Sequence, residues 1–202
     1  MKLKLSVLAL AMGLTVGALA YSQKALWADK DASPVSEITL RKLAEQGNVN
    51  AQARLGHMYA SGEGTKQDWD EAVKWYRLAA EQGNAEAQNN LGDMYYSSRG
   101  LPQDDTEAVK WYRLAAEQGN ARAQNSLGLK YEFGYGVPQD YVTAHKWFNL
   151  AAANASSSDP GIRELAILNR DIVAKKMTPD QIAEAQKLAR EWKPKVPSNQ
   201  TP

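Results

Sequence analysis

Residues 71–85 read EAVKWYRLAAEQGNA, and residues 107–121 repeat the same fifteen letters 36 positions later. Other columns recur at the same offset: Leu55-Gly56, Leu91-Gly92 and Leu127-Gly128, followed by Trp75, Trp111 and Trp147. This many coincident columns indicates an internal repeat, and a repeat decides the fold before any single helix is considered. Three full units cover about 48–83, 84–119 and 120–155, and a half unit from Arg41 to Gly47 precedes them.

Each unit predicts two helices. In the second unit, Leu91 and Tyr95 share one stripe of a helix near 84–97, and Trp111 and Ala115 share one stripe of a helix near 104–118. The glycine that recurs in the first helix costs about 1 kcal/mol relative to alanine, so it implies close approach of the partner helix. One such hairpin cannot bury its apolar stripe alone. We therefore predict an all-α fold, an α/α solenoid of about three 36-residue hairpins.

The Leu-Gly-x-x-Tyr first helix, the glycine-containing turn and the Ala-x-x-Trp second helix resemble the Sel1-like repeat family, a relative of the tetratricopeptide repeat. The resemblance covers about residues 36–155. It implies a right-handed curved stack in which the first helices line a concave groove and contact partner proteins. Two departures are visible: Ser98 replaces the first turn glycine in unit two, and residues 156–192 do not hold the repeat.

The N-terminus is typical of an exported protein. Lys2 and Lys4 precede an uncharged apolar run that closes on Ala18-Leu19-Ala20, so residues 1–20 are interpreted as a signal peptide and residues 21–35 as a linker. Two interpretations are open. Cleavage after Ala20 would leave a periplasmic or secreted protein, whereas retention would leave a membrane-tethered adaptor.

The C-terminal part predicts a divergent cap on the array. Residues 156–192 have helical spacing, and Thr178-Pro179 with Gln181 forms a helix-start motif. A solenoid needs such a cap to shield its last apolar face. The Pro-rich, polar residues 193–202 predict a disordered tail.

Composition excludes several classes of function. The chain has 24 Lys and Arg against 23 Asp and Glu, so it has no overall field to attract nucleic acid or an anionic membrane. With no cysteine it has neither disulfides nor thiolate chemistry, and its two histidines, His57 and His145, do not form a metal motif. No catalytic or cofactor motif is present, so we predict a protein that is not an enzyme and has no cofactor.

One enzymatic alternative comes from the family resemblance. Some cysteine-rich relatives are described as binding or hydrolysing β-lactams, but this chain lacks their cysteines. The preferred hypothesis is a protein–protein interaction module of the bacterial envelope, acting as a scaffold, assembly factor or regulator. It would bind a protein or peptide in the concave groove, without nucleic acid and without a membrane after signal cleavage.

Positions whose residue differs between units indicate where a partner would bind, because these residues are not needed to hold the repeats together. On the first helices these positions form one face, and by the resemblance the neighbouring Asn89, Asn125 and Glu132 would join it. Exposed aromatic residues among polar neighbours are common interface anchors. The predicted partner-binding residues are His57, Asn90, Asp93, Tyr96, Ser126, Leu129 and Phe133. Whether Leu129 and Phe133 face the groove or the C-terminal cap is left open.

Overall fold

A computed structural model describes residues 37–156 and 160–195, and within these ranges all regular secondary structure is helical. The predicted signal peptide at 1–20 and linker at 21–35 lie outside the described residues. So do residues 157–159 of the predicted cap and residues 196–202 of the predicted tail.

The described helices follow the predicted two-helix units. In chain order they are α1 (Glu37–Glu45), α2 (Val49–Ser61), α3 (Trp69–Glu81), α4 (Ala85–Ser97), α5 (Asp105–Glu117), α6 (Ala121–Phe133), α7 (Tyr141–Asn154), α8 (Pro160–Ala174) and α9 (Pro179–Glu191). Helices α2 with α3, α4 with α5, and α6 with α7 form the three hairpins, and α1 is the second helix of the half unit. The prediction of an all-α solenoid is confirmed.

Side-chain caps fix where the helices begin. The carboxylates of Asp68, Asp104 and Asp140 each accept hydrogen bonds from two backbone N–H groups at the start of α3, α5 and α7. Such caps satisfy donors that have no partner inside the helix. The side-chain oxygens of Asn48, Asn84 and Asn120 each accept one backbone N–H at the start of α2, α4 and α6, a role that the sequence interpretation did not give to these asparagines.

The recurring helix glycines are where the two helices of a hairpin touch. A Cβ atom added to Gly92 would lie 2.8 Å from the ring of Tyr112, and one added to Gly128 would lie 2.5 Å from the ring of Phe148. Gly56 stands in the same relation to Tyr76. The close approach that the sequence predicted is therefore an aromatic ring packed on bare backbone.

A repeated polar ladder joins each hairpin to the next. The side chain of Gln88 donates to the carbonyl of Ala80 at 3.0 Å and accepts from Gln118 at 2.7 Å. Gln52 with Gln82 repeats this junction, and Asn154 replaces glutamine as the donor to Gln124. A second contact runs from Arg113 to the hydroxyl of Tyr131 at 2.7 Å. Gln88 is buried and Gln118 is partly buried, whereas Arg113 is exposed. The satisfied glutamine bonds therefore give each junction a defined register.

The repeat pattern changes at α8. Arg163 donates to the carbonyl of Ala155, eight residues earlier, as Gln124 does to Ala116. Counted from that contact, Ile167 takes the position of the glycine in α2, α4 and α6. An isoleucine there obstructs the approach of a further second helix, and Ile167 remains exposed.

Helix α9 turns back instead of extending the stack. Its capping box, in which Thr178 and Gln181 bond reciprocally, is present as predicted. The helix packs on α7, and Trp192 reaches the hydrophobic cluster that includes Trp147 and Leu150. Beyond α9, the backbone N–H of Lys195 donates to the carbonyl of Glu117 at 2.7 Å. No helix in the described parts of the chain has both the length and the hydrophobicity to cross a membrane.

Candidate functional site

The variable face of the first helices contains a cavity of about 240 Å³ between α4 and α6. We call it the α4–α6 cavity. Its lining residues are Asp93, Tyr96, Tyr112, Ser126, Leu129, Lys130, Phe133 and Tyr135. Five of the seven predicted partner-binding residues are among them: Asp93, Tyr96, Ser126, Leu129 and Phe133. The structure thus brings these five together, and their role in binding stays a prediction.

The walls of the α4–α6 cavity are positioned by the geometry of α6 and by the tight turn that follows it. Ser126, Leu129 and Phe133 lie on successive turns of α6 and therefore share one face. Tyr135 follows in the turn after α6, between two glycines with positive φ. A Cβ atom on Gly136 would lie only 2.3 Å from the carbonyl oxygen of Asp105, so only glycine lets this turn pack on the start of α5. The turn thereby holds Tyr135 at the rim of the cavity.

The floor of the cavity is a hydrogen-bonded pair. The buried hydroxyl of Tyr112 donates to Oδ1 of Asp93 at 2.6 Å, and the amide of Asn89 donates to Oδ2 at 3.3 Å. Burial raises the pKa of the Asp93 carboxyl, and the two hydrogen bonds oppose that rise. Burial and the adjacent carboxylate also raise the pKa of the Tyr112 phenol, so it remains a donor at neutral pH.

Lys130 organises the aromatic walls. Its ammonium forms a 2.6 Å ion pair with Asp105 and lies 3.5 Å from the ring centroid of Tyr96 and 5.8 Å from that of Tyr135. The residue is only 4% exposed, so these cation–π contacts are made away from bulk water. Phe133 stacks on Tyr135 with ring centroids 5.8 Å apart. The rings of Tyr96, Phe133 and Tyr135 are about half exposed, at 49%, 51% and 53%.

Leu129 and Phe133 differ in which side they face. Leu129 is partly buried and packs against the cluster of Ala144, Phe148 and Val173, so it contacts the α7–α8 core as well as the cavity. Phe133 is open, although the ammonium of Lys176 lies 5.7 Å from its ring. Both residues therefore line the cavity, and Leu129 also packs against the cluster that contains Val173 of α8.

The other predicted residues lie elsewhere on the face. Asn90 lines a second, smaller cavity of about 130 Å³, which also includes Asp93, Trp69 and Arg99. His57 is exposed on α2 and lines neither of these two cavities. The binding role predicted for Asn90 and His57 also stays a prediction.

The expectation that Asn89, Asn125 and Glu132 join the open face is wrong. All three are buried. Asn125 accepts a hydrogen bond from Asn169 of α8, and Glu132 pairs with Lys176 just beyond α8. The C-terminal cap therefore covers one edge of the face, which the spacing of residues within the repeats did not reveal.

Lys130 and Tyr112 are lining residues that the sequence interpretation missed. A signal for Lys130 was present, because its column holds Met58 and Met94 in the other two units. A lysine in a buried methionine column requires a partner, here Asp105. Tyr112 was interpreted only as packing. Nothing in the sequence separates its ring, which packs on Gly92, from its hydroxyl, which reaches the cavity.

The described residues include no group of three or more His, Asp or Glu side chains arranged to hold a metal ion. The titratable groups at the α4–α6 cavity are the carboxylate of Asp93, the paired ammonium of Lys130 and phenols. This set can accept and donate hydrogen bonds and pack against apolar or flat groups.

Comparison with known proteins identifies the repeats. The sequence model of the Sel1 repeat matches residues 49–84, 85–120 and 121–156. These bounds differ by one residue from the units read off the sequence. A search of curated proteins found no match.

Solved structures have the same architecture. A protective antigen of uropathogenic Escherichia coli that displays the SLR fold is 30% identical with a TM-score of 0.60, and the match covers 87% of this chain and 44% of the antigen. This chain therefore spans less than half the length of that protein. A Sel1 repeat protein from Oxalobacter formigenes is 40% identical with a TM-score of 0.55, and the match covers 63% of this chain and 96% of that one.

Proposed function

We propose that this chain, which belongs to the Sel1 repeat family, binds a segment of another bacterial envelope protein at the α4–α6 cavity. Members of this family generally serve as protein-interaction modules. The chain would act at this cavity as a scaffold, assembly factor or regulator. The observation that carries the proposal is the cavity itself. Three half-exposed aromatic rings surround it on a face that differs from unit to unit.

Burial explains why such a surface favours a partner. Exposed aromatic rings keep apolar area in contact with water, and covering that area is favourable by roughly 25 cal/mol per Å². Aromatic residues held rigidly lose little conformational freedom on binding, and Tyr96 and Tyr135 are already held by Lys130. Three units make a short face, so we expect modest affinity or binding within a larger assembly.

The proposal is tested by crosslinking in envelope extracts, followed by binding assays with the recovered partner in purified form. The test variant is Tyr96→Ser/Phe133→Ser/Tyr135→Ser, which spares Leu129 because that side chain packs in the core. The matched control is Ile38→Ser/Leu78→Ser/Leu114→Ser, which removes three exposed apolar side chains away from the cavity. We expect the first variant to lose binding and the control to keep it. Equal binding by both variants would move the site to another surface.

The envelope location rests on the pattern of residues 1–20. Purification from a periplasmic extract with N-terminal sequencing tests it, since cleavage after Ala20 makes Tyr21 the first residue. A membrane fraction that retains Met1 would favour the tethered adaptor. The proposal includes no catalytic step, and turnover of a chromogenic β-lactam by the purified chain would contradict that part.

A further inference from the structure

Asp93 carries a charge that the cavity leaves unmatched. Its hydrogen-bond donors, Tyr112 and Asn89, are neutral, and within residues 37–156 and 160–195 Asp93 takes part in no ion pair shorter than 4 Å. Arg122 and Arg99 act on it electrostatically, but only as minor influences beside burial and the hydrogen bonds. Asp93 is an exposed residue among those that line the cavity, so a cation that enters the cavity can reach its carboxylate and supply the counter-charge that the described neighbours do not.

The ammonium of the neighbouring Lys130 does not neutralise the charge of Asp93. Lys130 is the cation that lines the cavity, and its charge is already matched by Asp105 at 2.6 Å. Similarly, Lys176 is matched by Glu132 at 2.8 Å. The cavity therefore offers a compensated ion pair in one wall and an uncompensated carboxylate in its floor.

The size and the walls restrict what the cation is attached to. Pockets for drug-sized molecules measure roughly 300–1,000 Å³, whereas this cavity measures about 240 Å³. That volume suits one large side chain. Leu129 offers aliphatic contact, and the half-exposed rings of Tyr96 and Tyr135 offer flat faces.

We infer that the α4–α6 cavity takes an arginine side chain of the partner, with its guanidinium on Asp93 and its aliphatic stem along Leu129 and Tyr96. This inference rests on the proposed function and specifies the chemistry of the bound segment. Arginine combines an apolar stem, a flat cation that stacks on aromatic faces, and several donors for one carboxylate. A tyrosine or tryptophan would fill the volume but leave Asp93 unmatched.

The test compares two peptides that differ in one charge. Acetyl-Ala-Ala-Arg-Ala-Ala-amide and the same peptide with citrulline have similar shape, but only the first is cationic. Each is titrated into the full chain, isotopically labelled, while the NMR signals of the Asp93 carboxyl and the Ser126 and Tyr135 amides are followed. We expect binding at the cavity, with the arginine peptide about tenfold tighter.

A matched pair of variants isolates the carboxylate. Asp93→Asn keeps the shape of the side chain and an acceptor for Tyr112, whereas Glu86→Gln removes one negative charge from the exposed first turn of the same helix. We expect Asp93→Asn to abolish the preference for arginine and Glu86→Gln to change it less than about twofold. Preference for arginine should also decline as acid protonates Asp93, whose pKa burial raises.

Several outcomes would overturn the inference. They are equal binding of the two peptides, no shift at the cavity with either peptide, or an arginine preference that survives Asp93→Asn. The wild-type comparison of the two peptides does not depend on how any variant folds. If the inference fails while capture of a partner still requires Tyr96, Phe133 and Tyr135, the proposed function stands and only the chemistry of the anchor is wrong.

Discussion

Tyr112 and Asp93 form a hydrogen-bonded pair inside the second hairpin, with the phenol hydroxyl 2.6 Å from Oδ1 of the carboxylate. The corresponding residues of the third hairpin are Phe148 and Leu129, which pack in one apolar cluster. The residue on the first helix is therefore polar where the ring of the second helix bears a hydroxyl, and apolar where it does not. In these two hairpins, a position that varies between units changes together with its partner across the hairpin.

We predict that Tyr112→Phe lowers the free energy of unfolding by about 1 kcal/mol, because Asp93 loses its best donor. The double variant Asp93→Leu/Tyr112→Phe recreates the pair of the third hairpin and should cost less than the sum of the two single variants. Urea unfolding of all four proteins measures the coupling. Simple additivity would show that the two residues are independent.

Lys130 and Met94 occupy one column but have different neighbours. Lys130→Met should change the free energy of unfolding by less than about 1 kcal/mol, because replacing a buried ion pair with an apolar group is often neutral. Met94→Lys should cost about 2 kcal/mol or more, because Met94 lies in an apolar cluster with Trp69 at the position that corresponds to Asp105. Chemical denaturation compares the two, and equal costs would contradict the role given to Asp105.

Helix α9, which packs on α7, buries only one of three leucines at equivalent positions of the repeat. Leu150 is 6% exposed beneath Trp192 and Ala189, whereas Leu78 and Leu114 are 39% and 46% exposed. Leu150→Ala should therefore cost about 2 kcal/mol or more. Leu78→Ala and Leu114→Ala should each cost less than about 0.5 kcal/mol. Thermal or urea unfolding gives the comparison, and similar losses at all three positions would show that α9 does not cover α7 in solution.

His145 should make stability depend on pH. It is buried on α7, bonded to Asn149, and burial followed by the positive charge of Arg170 lowers its pKa, while Asp171 opposes that shift. The folded-state pKa is then below the unfolded value of about 6.5, so the unfolded chain binds more protons and stability is lost as pH falls below that value. His145→Val introduces the residue found at 73 and 109 and should weaken this dependence. Urea unfolding between neutral and mildly acidic pH tests it, and an unchanged slope would assign the effect to other groups.

Two kinds of evidence placed residues on the predicted interface: comparison of the units with one another, and resemblance to the Sel1-like repeat family. Comparing the units with one another identified five residues that line one cavity, because residues three or four apart on a helix necessarily share a face. The family resemblance placed Asn125 and Glu132 on the open face, although α8 covers the first and Lys176 binds the second. Internal repetition cannot describe a contact made by a segment outside the repeat.

The sequence by itself determined the solenoid, its helices and their order. Those features follow from local causes: apolar spacing within a helix, capping Asp and Asn side chains, and glycines that let a ring approach the backbone. Only the tertiary structure decided that α9 folds back on α7, that Lys130 is buried against Asp105, and that Asp93 lies unmatched in the floor of a cavity. Each of these depends on which distant residue supplies the neighbouring atoms, and the spacing of residues along one helix carries no record of that choice.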